Sequence, residues 1–359
     1  MKCIGLMSGT SCDGLDIAYC TFSTPEKAPI NYKIELAETI EYPKEIVSKL
    51  KTAETFSLLD FLLFDRQYGD YLGLQVRQFL TKHNLPNPKF IASHGHTIFH
   101  QPDKKLTVQI GNPSNVSGSS DLNVVGDFRS VDVALGGQGA PLVPIGDKLL
   151  FTEYDFCLNL GGIANISFDQ ENRRTAFDIC PMNMTLNFLV EKIGHEFDKD
   201  GEIARTGKVI PELISSLEKL PYFTMEGAKS LGKEWIYAEF IPEIMKHKDA
   251  SVEDLLATVV EFGCNMISRV VLNKCKDKIT RMLVTGGGAF NKFFIERLQN
   301  ILKGKCEVVV PDSLIVKYKE ALIFAFLGLL RWNNKVNCLK SATGAKKDNI
   351  GGVIVIAKS

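Results

Sequence analysis

The sequence predicts an α/β protein of two domains. Three observations lead there: strand-like apolar runs alternate with helix-periodic segments along the chain. A strand, glycine turn, strand layout occurs near its start and again near residue 160. The length, 359 residues, suffices for two hydrophobic cores.

Taken in order, residues 3–7 and 15–21 are short apolar strands around the turn Ser8-Gly9-Thr10-Ser11-Cys12-Asp13-Gly14, and 34–42 is a third strand. A helix is expected over 57–83, where Leu58, Leu62, Leu72, Leu74 and Phe79 recur on its faces. Residues 89–92 form a buried strand ending in Ser93-His94-Gly95-His96-Thr97, and 123–126 another ending at Asp127-Phe128-Arg129. The layout then restarts with strand 156–160, Gly161-Gly162 and strand 163–168. Helices follow over 181–193, 252–273 and 318–331, with strand 282–285 emptying into Gly286-Gly287-Gly288. Residues 351–356 read as a last strand. The boundary is expected shortly before the second layout, giving domains 1–130 and 131–348, with 349–359 a candidate to rejoin the first.

Lys plus Arg and Asp plus Glu number 42 each. Zero net charge argues against a nucleic-acid or membrane-surface partner, either of which favours a basic excess. Nine cysteines are scattered without a CxxC pair, which argues against a zinc or dithiol site and suits a reducing, cytoplasmic setting. The start does not resemble a signal peptide, and the longest apolar run, 321–330, is about half of a membrane span.

Three glycine turns carry the chemistry. In Gly5–Asp16, small residues let main-chain N–H groups approach an anion, hydroxyls add donors, and Asp13 and Asp16 suit Mg²⁺ beside phosphate. The segment lacks the Walker spacing, and its bland alternative is a hairpin with a polar tip. Gly286-Gly287-Gly288 leads from a strand toward a helix whose N-terminus would favour an anion, or is a close-packing turn. Leu158-Asn159-Leu160-Gly161-Gly162-Ile163 is the third.

These segments, with Ser93–Thr97, Gln109-Ile110-Gly111, Asp127–Arg129, Gly136–Pro144 and Asp198-Lys199-Asp200-Gly201, resemble the anhydro-N-acetylmuramic acid kinase family in order and over nearly the whole chain. The resemblance implies two actin-like (ribonuclease H-like) domains with a nucleotide cleft between them. It implies ATP and Mg²⁺ as cofactors, a 1,6-anhydro sugar as substrate, and hints at a homodimer. The implied reaction opens the anhydro bridge hydrolytically and phosphorylates O6 during cell-wall recycling. Asp178 matches the family's catalytic base. Gly9, Thr10, Ser11, Cys12, Asp13, Gly14, Leu15, Asp16, Gly161, Gly162, Gly286, Gly287 and Gly288 are the expected ATP-binding residues, with Asp13 and Asp16 at the metal. Arg129, His94, Asn183 and Glu320 are expected on the sugar.

Each has a plainer alternative: a helix cap for Asp178, a salt bridge to Asp127 or Asp132 for Arg129, a helix N-terminal charge for Glu320 and a structural role for His94. The chain departs from the family pattern at Asp178-Ile179-Cys180-Pro181-Met182-Asn183, where Asp-Thr-Gly-Pro-Gly-Asn is usual. If those glycines need positive φ, the loop here is expected to take another path; if they leave space, Met182 fills part of the pocket. Asn112 stands for an expected Asp, and His96 for Gln. Alternative functions on the same fold are a kinase of another anhydro sugar such as levoglucosan, and a non-catalytic nucleotide or sugar sensor.

Overall fold

The computed structural model describes residues 1–23, 30–171, 173–225, 229–275 and 278–357. The chain divides into two compact units, one of residues 1–152 and 318–359, the other of residues 153–317. The division falls later than the expected boundary, because 131–152 fold with the N-terminal residues. The returning segment begins at Tyr318, not at 349. That crossing lies inside the helix Ser313–Trp332, at a residue whose backbone leaves helical φ/ψ.

In the first unit, β1 (Lys2–Ser8), β2 (Leu15–Phe22) and β3 (Tyr32–Ile40) make an antiparallel meander. β4 (Ile91–Ser93) adds in parallel to β1, while β5 (His96–Gln101) and β6 (Leu106–Ile110) form a separate hairpin. β7 (Val124–Gly126) is parallel to β4, and the C-terminal strand Val353–Val355 closes the sheet antiparallel to β7. The order is C-terminal strand, β7, β4, β1, β2, β3.

The second unit repeats this plan. β8 (Phe156–Leu160), β9 (Ile163–Gln170) and β10 (Arg173–Pro181) are an antiparallel meander. β11 (Thr280–Thr285) pairs in parallel with β8, and β12 (Cys306–Val309) with β11. Third, second, first, fourth, fifth is the strand order in both sheets. The repeated layout in the sequence is thus a repeated topology, the ribonuclease H-like arrangement.

Helices cover these sheets by their apolar stripes. Leu58–Lys82 starts at Ser57, whose hydroxyl accepts from Asp60 N. Its buried stripe is Phe64, Tyr68, Leu72, Val76 and Phe79. Of the apolar residues that marked the helix, Leu72 and Phe79 face the core, whereas Leu58, Leu62 and Leu74 face solvent. Val252–Leu272 is long and apolar enough to cross a bilayer, yet 72% of that stretch is buried within its own unit, as in a core helix. Helix Ser313–Trp332 lies against β1 at Gly5, where an added Cβ would sit 1.8 Å from Ala321 O. Only glycine permits that approach, and it brings the start of the returning segment beside the β1–β2 turn.

Candidate functional site

In the first unit, the turn between β1 and β2 is anchored from beneath. Ser8 is buried, its hydroxyl accepting from Tyr42 Oη (2.7 Å) and Tyr68 Oη (2.9 Å) and lying 2.8 Å from His96 Nδ1. Burial lowers the His96 pKa to about 4, so the ring is neutral. Beyond Ser8 the turn opens: Thr10, Ser11 and Asp13 are exposed. Cys12 N–H donates to Gly9 O (3.1 Å), with Cys12 at φ 60°. Among the described residues nothing accepts from the N–H groups of Thr10, Ser11 or Asp13. A run of outward N–H groups beside two hydroxyls is an anion-binding surface. Two of the residues expected here offer only main chain, since the Cys12 and Leu15 side chains are buried in the core. Gly14 is the packing glycine of the turn, its absent Cβ 2.8 Å from Ile40 O, while a Cβ at Gly9 would make only an ordinary contact, 3.5 Å from Ser11 Oγ.

Asp16 accepts from Thr39 Oγ1 (2.6 Å) and is partly buried; burial raises its pKa, the Thr39 bond opposes, and Asp13 adds to the rise. Glu320 keeps solvent access, yet the protein packed around its carboxyl raises its pKa. Lys319 and Arg129 pull it back, and Asp16 and Asp147 push it further.

Arg129 makes neither expected salt bridge. Its Nη1 donates to Gly139 O (2.6 Å), and Nε and Nη2 reach His94 Nε2 (3.2 and 2.9 Å). Burial lowers the guanidinium pKa to about 10, against the pull of Glu320, so it stays charged at neutral pH. His94 is held neutral by burial and by Arg129, and its Nε2 lone pair is already engaged. It therefore orients Arg129. Asp127 instead accepts from Ser130 N and Oγ. Asp132, fully buried, accepts from Gly139 N (2.8 Å), Cys338 Sγ, Thr343 Oγ1 and Asn349 Nδ2, fastening the glycine loop to the C-terminal segment.

In the second unit, Asp178 is on β10 rather than at a helix start, which removes the cap alternative. The following helix, Asn183–Glu191, has Met182 at its N-cap, without a side-chain cap bond. The Asp178 side chain accepts through Oδ2 from Leu231 N (2.8 Å) and Ser230 Oγ (3.1 Å). Among the described residues no donor reaches Oδ1. Burial raises the carboxyl pKa, with the Leu231 and Ser230 bonds opposing. A half-buried carboxylate with one unengaged oxygen is suited to accept a proton.

The other expected residues of this unit converge on β8. Met182 N and Met184 N donate to Gly162 O (2.8 and 3.3 Å), and Asn183 N to Gly161 O (3.2 Å). Asn183 Nδ2 donates to Leu160 O (3.1 Å), and its Oδ1 lies 3.0 Å from where a Gly288 Cβ would be. Gly286, at φ 82°, has no room for a Cβ, which would meet Asn159 Oδ1 at 2.5 Å. The helix expected directly after the glycines starts later. A 3₁₀ turn, Gly287–Phe290, intervenes, and Lys292–Leu302 is capped by Asn291 accepting from Phe294 N. The N–H groups next to the glycines thus belong to the short turn.

At the lost glycines the backbone takes a path without positive φ, and Met182 does not fill the pocket. Cys180 and Met182 are not at positive φ, Met182 having φ −132°. Both side chains enter the core, Met182 at 1% exposure, rather than the site. Room comes from Gly263 of the core helix, where an added Cβ would lie 2.5 Å from Met182 Sδ. Asn112 caps the helix Pro113–Ser120 by accepting from Ser114 N (3.0 Å), as an Asp would. Asp198 accepts from Ile203 N and Ala204 N, so its motif supports a helix start.

Sequence reading missed the Ser8 network, Asp132 and Ser230. Tyr42, Tyr68, Asp132 and Ser230 belong to no glycine turn, and only folding within each unit brings them to the groups they hold.

Two units with sheets of this order and glycine turns after their first strands have the actin-like fold that carbohydrate kinases share. The family model described as anhydro-N-acetylmuramic acid kinase matches residues 1–357. A protein of that name from Shewanella putrefaciens is 34% identical over 97% of both chains, and one from Francisella tularensis subsp. novicida is 33% identical over 98% of both. The chain belongs to the anhydro-N-acetylmuramic acid kinase family. Among solved structures, a ROK family glucokinase from Streptomyces griseus in complex with glucose and AMPPNP aligns over 91% of this chain and 99% of its own, at 12% identity and TM-score 0.42.

Proposed function

We propose that the protein converts 1,6-anhydro-N-acetylmuramic acid, water and ATP into N-acetylmuramic acid 6-phosphate and ADP, in the cytoplasm, as a step of peptidoglycan recycling. The observation that carries this reading is the Asp178 carboxylate, held by Oδ2, with no donor to Oδ1 among the described residues. Asp178 takes a proton from water as its oxygen bonds to the anomeric carbon. The C1–O6 bond breaks, and O6 bonds to the γ-phosphorus as the bond to ADP breaks. Burial supports the role: a raised pKa makes the carboxylate a stronger proton acceptor than a solvated one.

The open N–H groups of Thr10 and Ser11 and their hydroxyls suit the phosphates of ATP. Asp13 and Asp16 lie close enough for one to raise the pKa of the other, and such oxygen donors fit Mg²⁺. Among the described residues no three metal-binding side chains cluster, which suits a cation completed by phosphate and water. When bound, Mg²⁺ supplies charge neutralisation to the phosphates. Arg129, kept charged and oriented by His94, suits the lactyl carboxylate that distinguishes this sugar from neutral anhydro sugars.

The test is ADP release with 1,6-anhydro-N-acetylmuramic acid and with levoglucosan, run in ¹⁸O water. The reading expects turnover with the acidic sugar and label on its anomeric hydroxyl. Turnover with levoglucosan alone, or label in the phosphate, contradicts it.

A further inference from the structure

We propose that Tyr222 and residues 229–231 form a clamp that aims the Asp178 carboxylate, with Ser230 as its positioning residue. The inference rests on Asp178 being the base and deepens that reading.

β10 is the edge strand of its sheet, so the outward main-chain groups of Asp178 find no neighbouring strand. The clamp supplies their partners. Asp178 N–H donates to Lys229 O (3.0 Å), and Tyr222 Oη donates to Asp178 O (2.6 Å). Leu231 N and Ser230 Oγ then hold the side chain by one oxygen. Backbone and carboxylate are thereby gripped by one stretch of chain, at the bulge that interrupts β9–β10 pairing after Asp178.

Lys229 keeps the clamp together. Its ammonium donates to Tyr222 O (2.8 Å) and Met225 O (3.1 Å) and lies 4.5 Å from the Tyr222 ring centre. Among the described residues, the titratable groups facing Asp178 are Tyr222 and Lys229 from the clamp and Cys180 from β10 itself, with Asn165 opposite on β9. Burial pushes the Tyr222 hydroxyl and the Cys180 thiol up, so both stay neutral near pH 7. The Lys229 ammonium donates to carbonyl oxygens rather than to the carboxylate, where the hydrogen bonds from Leu231 and Ser230 act against burial. Both donors to the carboxylate, Leu231 N and Ser230 Oγ, fall on Oδ2, so rotation about the Cβ–Cγ bond is fixed and Oδ1 is the oxygen presented.

Ser230 is exposed, so Ser230→Ala leaves the core filled. With 1,6-anhydro-N-acetylmuramic acid and ATP, kcat should fall roughly three- to tenfold, the worth of one hydrogen bond, with KM for ATP unchanged. The acid limb of its pH profile should move to higher pH, because a bond favouring the carboxylate is gone. Ser230→Thr, which keeps the hydroxyl, should restore both. Tyr222→Phe should lower kcat without moving the limb, since its bond is to the main chain. If Asp178→Asn is inactive while the Ser230→Ala profile superimposes on the wild type, the clamp is overturned and the base assignment stands. If Asp178→Asn turns over, both fall.

Discussion

The same strand order is built twice in this chain, and the two copies use their first turn in opposite ways. In the first unit, Ser8 and Leu15 are separated by six residues whose N–H groups at Thr10, Ser11 and Asp13 have no acceptor among the described residues. In the second, Gly161 and Gly162 give their carbonyls to Met182, Asn183 and Met184. One turn is open to a ligand and fixed from below by Ser8, Tyr42, Tyr68 and His96. The other is a clip that fixes the end of β10 and the start of the next helix. Topology sets where a turn falls; whether its polar groups already have partners decides what it can bind.

Substitutions that separate stability from ligand binding sharpen this contrast. The largest effect is expected at the clip. Met182→Ala should destabilise the protein by about 2–5 kcal/mol, because it empties a core site against Gly263. Its KM for the sugar should stay unchanged below the melting transition. A stable variant with altered sugar KM would instead place Met182 in the pocket. Gly286→Ala should cost roughly 1–3 kcal/mol in urea denaturation, from its positive φ and the clash with Asn159. A neutral result would show that the turn can move away from β8. In the open turn, Ser11→Ala should leave the melting temperature unchanged and raise KM for ATP about two- to tenfold, the range of one hydrogen bond. Lost stability with unchanged KM would make that turn structural too.

Much of this was legible in the sequence because glycine turns and strand runs are local. Gly9 to Gly14, Gly161-Gly162 and Gly286 to Gly288 stand next to the strands that feed them, so their positions follow from pattern alone. Asp178 was legible through its motif, but its setting was not. Residues 181–182 read as the opening of a helix, yet Asp178 to Pro181 extend an edge strand. The packing of Met182 depends on Gly263, distant in sequence and in a different element, which no local pattern reveals. Arg129 offered two carboxylates nearby in sequence, but burial paired it with His94, which comes from the end of β4. The end of the first unit is not legible in sequence, because no linker separates 131–152 from the residues that follow.

The account turns on Asp178, and its replacement by Asn is the most direct measurement. Asn preserves shape and cannot take a proton, so kcat with the anhydro sugar should fall by about 10²–10⁴ while ATP affinity, measured by calorimetry, stays near wild type. In the wild type, activity should be lost on acidification at a higher pH than an ordinary carboxylate would dictate, because burial raises the pKa of the proposed base. Wild-type turnover by Asp178→Asn, with the same acid limb, would contradict the assignment.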